Sequence, residues 1–350
     1  MGPDLSSAPR IVALSTAVPG NDVQTSYAEW AAPRIEDDNR RKLFRRMVAR
    51  GGISHRYSVL DDASAFLAEG SFYMRAEAPG TAERMRAYAR EAPPLAEKAA
   101  RGLADLSGVT HIVLASCTGF MAPGLDQIIA RQLGLSANVE RVSIGFIGCY
   151  AGITALRTAG HIVRSRPGAR VLVICVELCT LHLQPDSDVE SLLAMAQFAD
   201  GAAAALVTDE GPGLALGEGI SATLTDSQEM ITWTVTDTGF AMHLSGAVPG
   251  RLSETLDQSG VTGLVGKPES WAVHPGGRSI LDAVERGLGL PADALAVSRA
   301  VLADYGNMSS ATVLFVLARI MEARPASGVA LAFGPGLAME GLHYGWTDAG

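Results

Sequence analysis

The sequence predicts an α/β protein whose strands are buried on both faces between layers of helix, built from two similar halves. Three observations carry this. The runs His111 to Cys117, Val171 to Val176 and Ala202 to Val207 are apolar without polar alternation, the pattern of strands covered on both sides. Segments of helical period follow them, Leu125 to Leu133 being the clearest. The chain also repeats itself: HIVLASCTGFMAPGLDQIIARQLGL, His111 to Leu135, resembles SWAVHPGGRSILDAVERGLGL, Ser270 to Leu290. Each is an apolar strand, a small-residue turn, an amphipathic helix and a terminal LGL. After a comparable interval each half opens a further helix, at Cys149 and at Asn307, and each then ends in a buried strand, Val171 to Val176 and Val329 to Phe333. The halves are placed at residues 1–220 and 221–350.

Composition bounds the function. Of 350 residues, 48% are hydrophobic and 19% charged, and 38 are glycine, which fits a large core joined by tight turns. No apolar run approaches the roughly 20 residues needed to cross a bilayer, and the N-terminus lacks a signal-peptide layout, so a cytoplasmic protein is expected. Met1-Gly2 with Ser6 fits a loose myristoylation pattern, but no polybasic stretch supports it and anchoring is not expected. A net charge of −9 argues against nucleic-acid partners and anionic membrane surfaces. Cys117, Cys149, Cys175 and Cys179 form no disulfide framework and have no zinc-site spacing, so no metal is expected.

In chain order, Ile11 to Leu14 reads as a strand ending in the turn-rich AVPGND. Ile35 to Arg50 reads as a helix with two open interpretations. It is either a solvated charged face or an anion-binding face, since Arg45, Arg46 and Arg50 lie close together and arginine grips phosphate through a bidentate fork. Thr81 to Leu106 predicts a long helix interrupted near Pro93-Pro94.

Arg141 to Val163, RVSIGFIGCYAGITALRTAGHIV, centres on Cys149 between Gly148 and Gly152, at a strand-to-helix corner. Unpaired N–H groups and the helix dipole favour a thiolate there; the plainer reading is a buried cysteine serving as a small hydrophobe. His274 in WAVHPGG and Asn307 in DYGNMSS sit in turns beside buried segments, where either alone reads equally as a satisfied turn residue. Together the three supply a nucleophile, a base and an oxyanion donor at corresponding corners of a duplicated unit. Cysteine proteases use Cys, His and Asn too, with the Asn orienting the His. Here the His274 imidazole and the Asn307 amide can instead both donate to one thioester carbonyl and stabilise the enolate left by decarboxylation.

At these residues the chain resembles the type III polyketide synthases, the chalcone synthase-like family, over nearly its whole length. The motifs that carry the resemblance are GCYAG around Cys149, QFADGAAA from Gln197, WAVHPGG around His274, YGNMSSATVLF around Asn307 and FGPGLAMEG from Phe333. The resemblance implies a thiolase-like fold of layered α-β-α-β-α form and a homodimer with one active site per subunit. It implies that no cofactor is permanently bound and that the substrates are coenzyme A thioesters, an acyl-CoA starter and malonyl-CoA. Cys149 would carry the acyl group, its thiolate paired with protonated His274, and His274 with Asn307 would support decarboxylation. Phe198 would gate the cavity, Phe333, Gly334, Pro335 and Gly336 would shape its floor, and Arg46, Arg50 and Ser309 would hold coenzyme A.

Departures from the family pattern bear on the product. A third basic position is Leu43, the second gatekeeper is Met242, and Cys117 and His182 stand where plant members usually have Thr. Cys117 reads equally as a core residue. The residue reaching into a partner's cavity falls near Met121 or Ala122. The resemblance thus predicts iterative extension closing to a pyrone or a resorcinol- or phloroglucinol-type ring. A long fatty acyl starter comes first, with a short one nearly equal because His182 would fill space. A single-round enzyme like ketoacyl-ACP synthase III and a catalytically silent acyl-CoA-binding protein are the alternatives.

Overall fold

Nine strands join edge to edge in one sheet, in the order Ser270–Val273, Gly328–Gly334, Ala338–Thr347, Gly213–Thr223, Arg10–Ala17, Asp200–Thr208, Val171–Leu178, His111–Ser116, Glu140–Gly145. The structure is a computed structural model and describes residues 8–61, 66–224, 226–258 and 261–348. The Met1-Gly2 pattern lies outside them. The strands expected from unbroken apolar runs are all present, and every residue of Val171–Leu178 and Asp200–Thr208 is buried. His111–Ser116 pairs in parallel with both of its neighbours, and Ser270–Val273 with Gly328–Gly334; the remaining sheet contacts are antiparallel. Gly213–Thr223 runs across residue 220 and pairs with strands from both ends of the sequence.

Two helices explain why the strands are apolar on both faces. Ala151–Ser165 touches His111–Ser116 and Val171–Leu178, and also Gly213–Thr223 and Ala338–Thr347. Thr312–Ala323 likewise touches Ser270–Val273 and Gly328–Gly334 together with Arg10–Ala17 and Asp200–Thr208. Both are therefore sandwiched between the two ends of the sheet, and one continuous apolar cluster forms around them. A second cluster packs Thr81–Arg101 and Leu125–Gln132 on one outer side, and a third packs Val248–Gln258 and Arg278–Leu288 on the other. The result is the expected helix–sheet–helix–sheet–helix layering. No helix among the described residues is long and apolar enough to cross a membrane.

The expected break at Pro93-Pro94 does not occur. Thr81–Arg101 is one helix that runs through both prolines. Each proline removes one i→i−4 bond, to the carbonyls of Ala89 and Arg90, residues on the half-buried to exposed side where water can reach. Burial of Ala87, Ala92, Ala96, Ala99 and Ala100 holds the rod straight enough to continue, so packing overrides local propensity.

Outside the main sheet, Ile231–Thr236 and Gly239–Leu244 form a hairpin that closes over the Cys149 side of the molecule. His182 pins it. Its Nδ1 accepts from the Phe240 N–H at 3.1 Å, which forces the proton onto Nε2, and Nε2 donates to the Thr118 carbonyl at 2.7 Å. The imidazole also stacks on Phe240 with centroids 4.1 Å apart. Burial pushes its pKa down to about 3.

Two consequences are measurable. A Cβ at Gly152 would overlap the Ser310 carbonyl oxygen and crowd Leu314 and Val313, so Gly152→Ala is expected to lower unfolding free energy in denaturant titrations by about 1–3 kcal/mol. Below its ordinary value of 6.5, His182 takes up a proton in the unfolded chain and not in the folded one. Its contribution to stability therefore falls as the pH drops from 6.5 toward 3, by roughly 1.4 kcal/mol per pH unit. Denaturant midpoints measured across that range should show a shallower acid loss in His182→Gln than in the wild type, and parallel curves would refute the assignment.

Candidate active site

Cys149 occupies the turn between the edge strand Glu140–Gly145 and the helix Ala151–Ser165. The turn is tight: the Ala151 N–H donates to the Gly148 carbonyl at 3.0 Å, and Gly148 has φ +86°. A side chain at Gly148 would strike Pro335, and one at Gly334 would meet Tyr150 and the Cys149 backbone nitrogen. The FGPG segment thus lies directly against the nucleophile turn, which is why glycine is needed on both sides of the contact. From the other direction the Gly148 N–H donates to the Cys117 sulfur at 3.1 Å.

His274 follows the opposite edge strand, Ser270–Val273, and its backbone N–H donates to the Leu331 carbonyl at 2.7 Å. The side chain is buried, and neither ring nitrogen has a protein partner. Asn307 follows the helix Ala296–Tyr305, whose end at Gly306 requires φ +70°. The QFADG segment clamps it: the Asn307 N–H donates to the Gln197 carbonyl at 2.8 Å, and the Ala199 N–H donates to the Asn307 carbonyl at 2.9 Å. Its amide Nδ2 donates to the Gly276 carbonyl at 3.2 Å, while Oδ1 accepts from the Ser309 N–H at 2.8 Å. The remaining amide hydrogen is directed at the Cys149 sulfur.

Cys149, His274 and Asn307 line one cavity of about 70 Å³, together with Phe198, Met242, Cys117, Phe333, Gly334 and Pro335. Four expected residues lie elsewhere. His182 lines a neighbouring cavity, because its ring nitrogens are committed to Thr118 and Phe240. Gly336 turns away, with its carbonyl accepting from the Ser227 hydroxyl at 3.1 Å. Arg46 projects from an exposed helix face outside the cavity, as does Arg45. Arg50 borders a surface groove formed with Gln197, Ser279 and Arg278, whose guanidinium donates to the Arg50 carbonyl at 3.1 Å. Ser309, expected with the coenzyme A arginines, is instead buried in the cavity, where its side chain and that of Asn307 hydrogen-bond the Cys149 thiol.

Burial also acts on the ionisation of Cys149 and His274. Burial pushes the Cys149 thiol up to about 11, an effect that the bonds from Ser309 and Asn307 only partly oppose. Burial alone brings the His274 imidazole down to about 3. Both shifts disfavour the charged form of their group, which works against the expected thiolate–imidazolium pair. Helix N-terminal position does not offset removal of the sulfur from water.

Sequence reasoning missed Glu177, Thr118, Cys179 and Trp233. The Glu177 carboxylate is fully buried and accepts from the Cys117 N–H at 2.9 Å, the Thr118 hydroxyl at 2.8 Å and the Ser310 hydroxyl. Desolvation raises it to about 7 despite these bonds. A lone acid inside the apolar run VLVICVEL was the available signal. Trp233 lies on a hairpin with no motif of its own.

Comparison with known proteins bears on this geometry. The profile of the chalcone and stilbene synthases, N-terminal domain, matches residues 6–212, and that of their C-terminal domain matches residues 215–344. The alpha-pyrone synthesis polyketide synthase-like Pks18 of Mycobacterium tuberculosis is 32% identical over 359 aligned residues, covering 95% of this chain and 90% of that protein. Among solved structures, PKS-I from the brown alga Ectocarpus siliculosus superposes with a TM-score of 0.89 at 29% identity, covering 99% of this chain and 100% of that one. The C-terminal type III polyketide synthase domain of Steely1 from Dictyostelium gives 0.86 at 27%, covering 97% and 99%. With both family profiles matched across the sheet and its central helices, the chain belongs to the chalcone and stilbene synthases: it is a type III polyketide synthase, a malonyl-CoA-dependent acyltransferase of thiolase-like fold.

Proposed function

We propose that this chain loads an acyl-CoA starter onto Cys149, extends it iteratively with malonyl-CoA and releases an α-pyrone. The observation that carries the site assignment is His274: a buried imidazole with both nitrogens unpartnered, in the same cavity as Cys149 and Asn307. With burial disfavouring the charged form of both groups, activation is a proton transfer at the moment of attack. The Cys149 sulfur adds to the starter thioester as His274 takes its proton, and His274 returns that proton to the departing coenzyme A sulfur. Malonyl-CoA then places its thioester oxygen between the His274 N–H and the Asn307 amide. Carbon dioxide leaves, both donors stabilise the enolate, and the enolate carbon attacks the acyl-Cys149 carbonyl and expels the sulfur. Reloading of the lengthened chain onto Cys149 repeats the cycle. Attack of an enol oxygen on the final thioester closes the lactone and frees the thiol.

The pyrone assignment leans on the relative whose name carries alpha-pyrone synthesis. For coenzyme A, the groove bordered by Arg50 and Arg278 beside Gln197 is the proposed mouth, since Phe198 follows Gln197 into the cavity; Arg46 lies on the same helix as Arg50. We further propose a homodimer. The sheet ends on Glu140–Gly145 with one backbone edge unpaired and Val142 41% exposed, and Phe120 next to it is 52% exposed.

With radiolabelled malonyl-CoA and a panel of acyl-CoAs, the wild type is expected to give extended products by mass spectrometry. Cys149→Ala should give none, and His274→Gln and Asn307→Ala should lose about 100-fold or more in turnover. A wild-type-like Cys149→Ala would sink the assignment, and acyl-Cys149 without extension would favour a silent acyl-CoA-binding protein. The raised pKa of Cys149 has its own check. With a Cys149 pKa of about 11, iodoacetamide alkylation of the ligand-free protein should keep accelerating past the free-thiol range of about 8.5. A rate already at plateau at neutral pH would establish a standing ion pair instead.

A further inference from the structure

Six of the thirteen residues of the helix Asp38–Arg50 are Lys or Arg, in a chain whose net charge is −9. Phe44 anchors the helix in the core, and Asp37 caps it by accepting from the Arg40 N–H at 2.7 Å. The Arg41 guanidinium is engaged by Asp38 and by the Ile35 carbonyl. Among the described residues the side chains of Arg40, Lys42, Arg45 and Arg46 make no ion pair, and all four are exposed. Arg40, Leu43, Met47 and Arg50 follow one another at spacings of three, four and three, so they form a single stripe along the helix, with Lys42 and Arg46 beside it. Leu43 is 42% exposed and Met47 46%. An apolar centre ringed by cations is the layout of a protein-docking face, where the desolvated apolar groups supply affinity and the surrounding charges select the partner.

The stripe is longer than coenzyme A requires. Met47 and Arg50 border the groove beside Gln197, but Arg40 stands ten residues earlier, roughly 15 Å along the axis at 1.5 Å per residue. A nucleotide at the groove leaves Arg40, Lys42 and the exposed Leu43 unused. We propose that this face docks an acidic, helical acyl carrier protein, whose phosphopantetheine arm enters the groove and hands its acyl group to Cys149. The stripe ends on that groove, and Phe198, next after Gln197, lines the reaction cavity, so a partner seated here is placed to deliver a chain. In the transfer the Cys149 sulfur forms the new thioester as the bond from the acyl carbon to the pantetheine sulfur breaks. The Cys149 proton passes through His274 to that sulfur, which leaves as the free thiol of the carrier. An anionic bilayer fits the face less well, because Glu36, Asp37 and Asp38 are exposed at the start of the same helix and would meet the headgroups. The proposal rests on the acyl-loading reading of Cys149, so binding of the carrier is measured separately from loading.

The full-length protein is titrated with the holo-acyl carrier protein of bacterial fatty-acid synthesis, labelled at its N-terminus, and binding is read by fluorescence anisotropy. Acyl-Cys149 is then timed by intact mass with the acylated carrier and with the same acyl-CoA. Carrier binding should weaken about tenfold between about 0.05 and 0.3 M salt. The double variant Arg40→Glu, Lys42→Glu should weaken binding and slow loading from the carrier by about tenfold or more, with loading from acyl-CoA within about twofold of the wild type. Leu43→Ser should slow carrier loading about fivefold with the same acyl-CoA rate. Circular dichroism and the acyl-CoA rate together report folding. Carrier loading unchanged by both variants, or slowed equally for both donors, overturns the docking face. Carrier binding that the variants weaken, with no acyl-Cys149 from either donor, supports the face and removes the loading reading; loading from acyl-CoA without carrier binding removes the face alone. Two further outcomes also overturn it. Binding to vesicles of phosphatidylcholine and phosphatidylglycerol that the double variant abolishes, without carrier binding, gives the face to a membrane. A larger oligomer in sedimentation that the double variant dissolves gives it to a second copy of this chain.

Discussion

One buried carboxylate sets the floor on which this site is built. Glu177 accepts hydrogen bonds from the segment after His111–Ser116, through Cys117 and Thr118, and from the turn Ser309–Ala311, through Ser310. Cys117 in turn braces the nucleophile turn through Gly148, and the Ser310 carbonyl packs on Gly152 at the start of the central helix. Three segments distant in sequence are thereby indexed to a single group. A carboxylate without these donors would not be tolerable at full burial. The same group raises the pKa of Cys149 and of the other three cysteines, so the scaffold that positions the nucleophile also disfavours its charged form.

That opposition shapes the chemistry. A cavity dry enough to protect an enolate from water is also dry enough to neutralise an isolated thiol and imidazole. The site meets this with two donors to sulfur, Ser309 and Asn307, and with an imidazole whose nitrogens are spent on nothing else. Asn307 serves both ends: one amide hydrogen and the carbonyl oxygen lock its orientation, and the other hydrogen faces the Cys149 sulfur. Precision here comes from backbone clamps by Gln197 and Ala199 rather than from the side chain's own rotamer.

The parts legible in the sequence were those carried by strand ends and glycine-rich turns. Cys149, His274 and Asn307 announce themselves because a buried strand followed by a turn is where a rigid scaffold presents side chains, and Phe198, Met242, Cys117 and the FGP residues share their cavity. What could not be read is whatever depends on the direction or burial of a side chain. His182 looks the same in a string whether it faces the cavity or, as here, stacks on Phe240. The ionisation of Cys149 is a sum of burial and of groups from Glu177 to Ser309 that no local pattern encodes. The helix through Pro93-Pro94 survives because its alanine face packs on the sheet, and propensity alone points the other way.

The two edge strands of the sheet, Ser270–Val273 and Glu140–Gly145, lead respectively to His274 and to Cys149. They are the outermost members of one nine-stranded array and are separated along the chain by three other strands of the same sheet. Closing them onto one cavity requires every intervening strand to be in register, an assembly of contacts far apart in sequence that is slow to form. During synthesis the cysteine emerges well over a hundred residues before its base, so a partly made chain carries a thiol with no partner to deprotonate it. Acyl transfer competence is consequently a property of the assembled sheet and of neither edge strand alone.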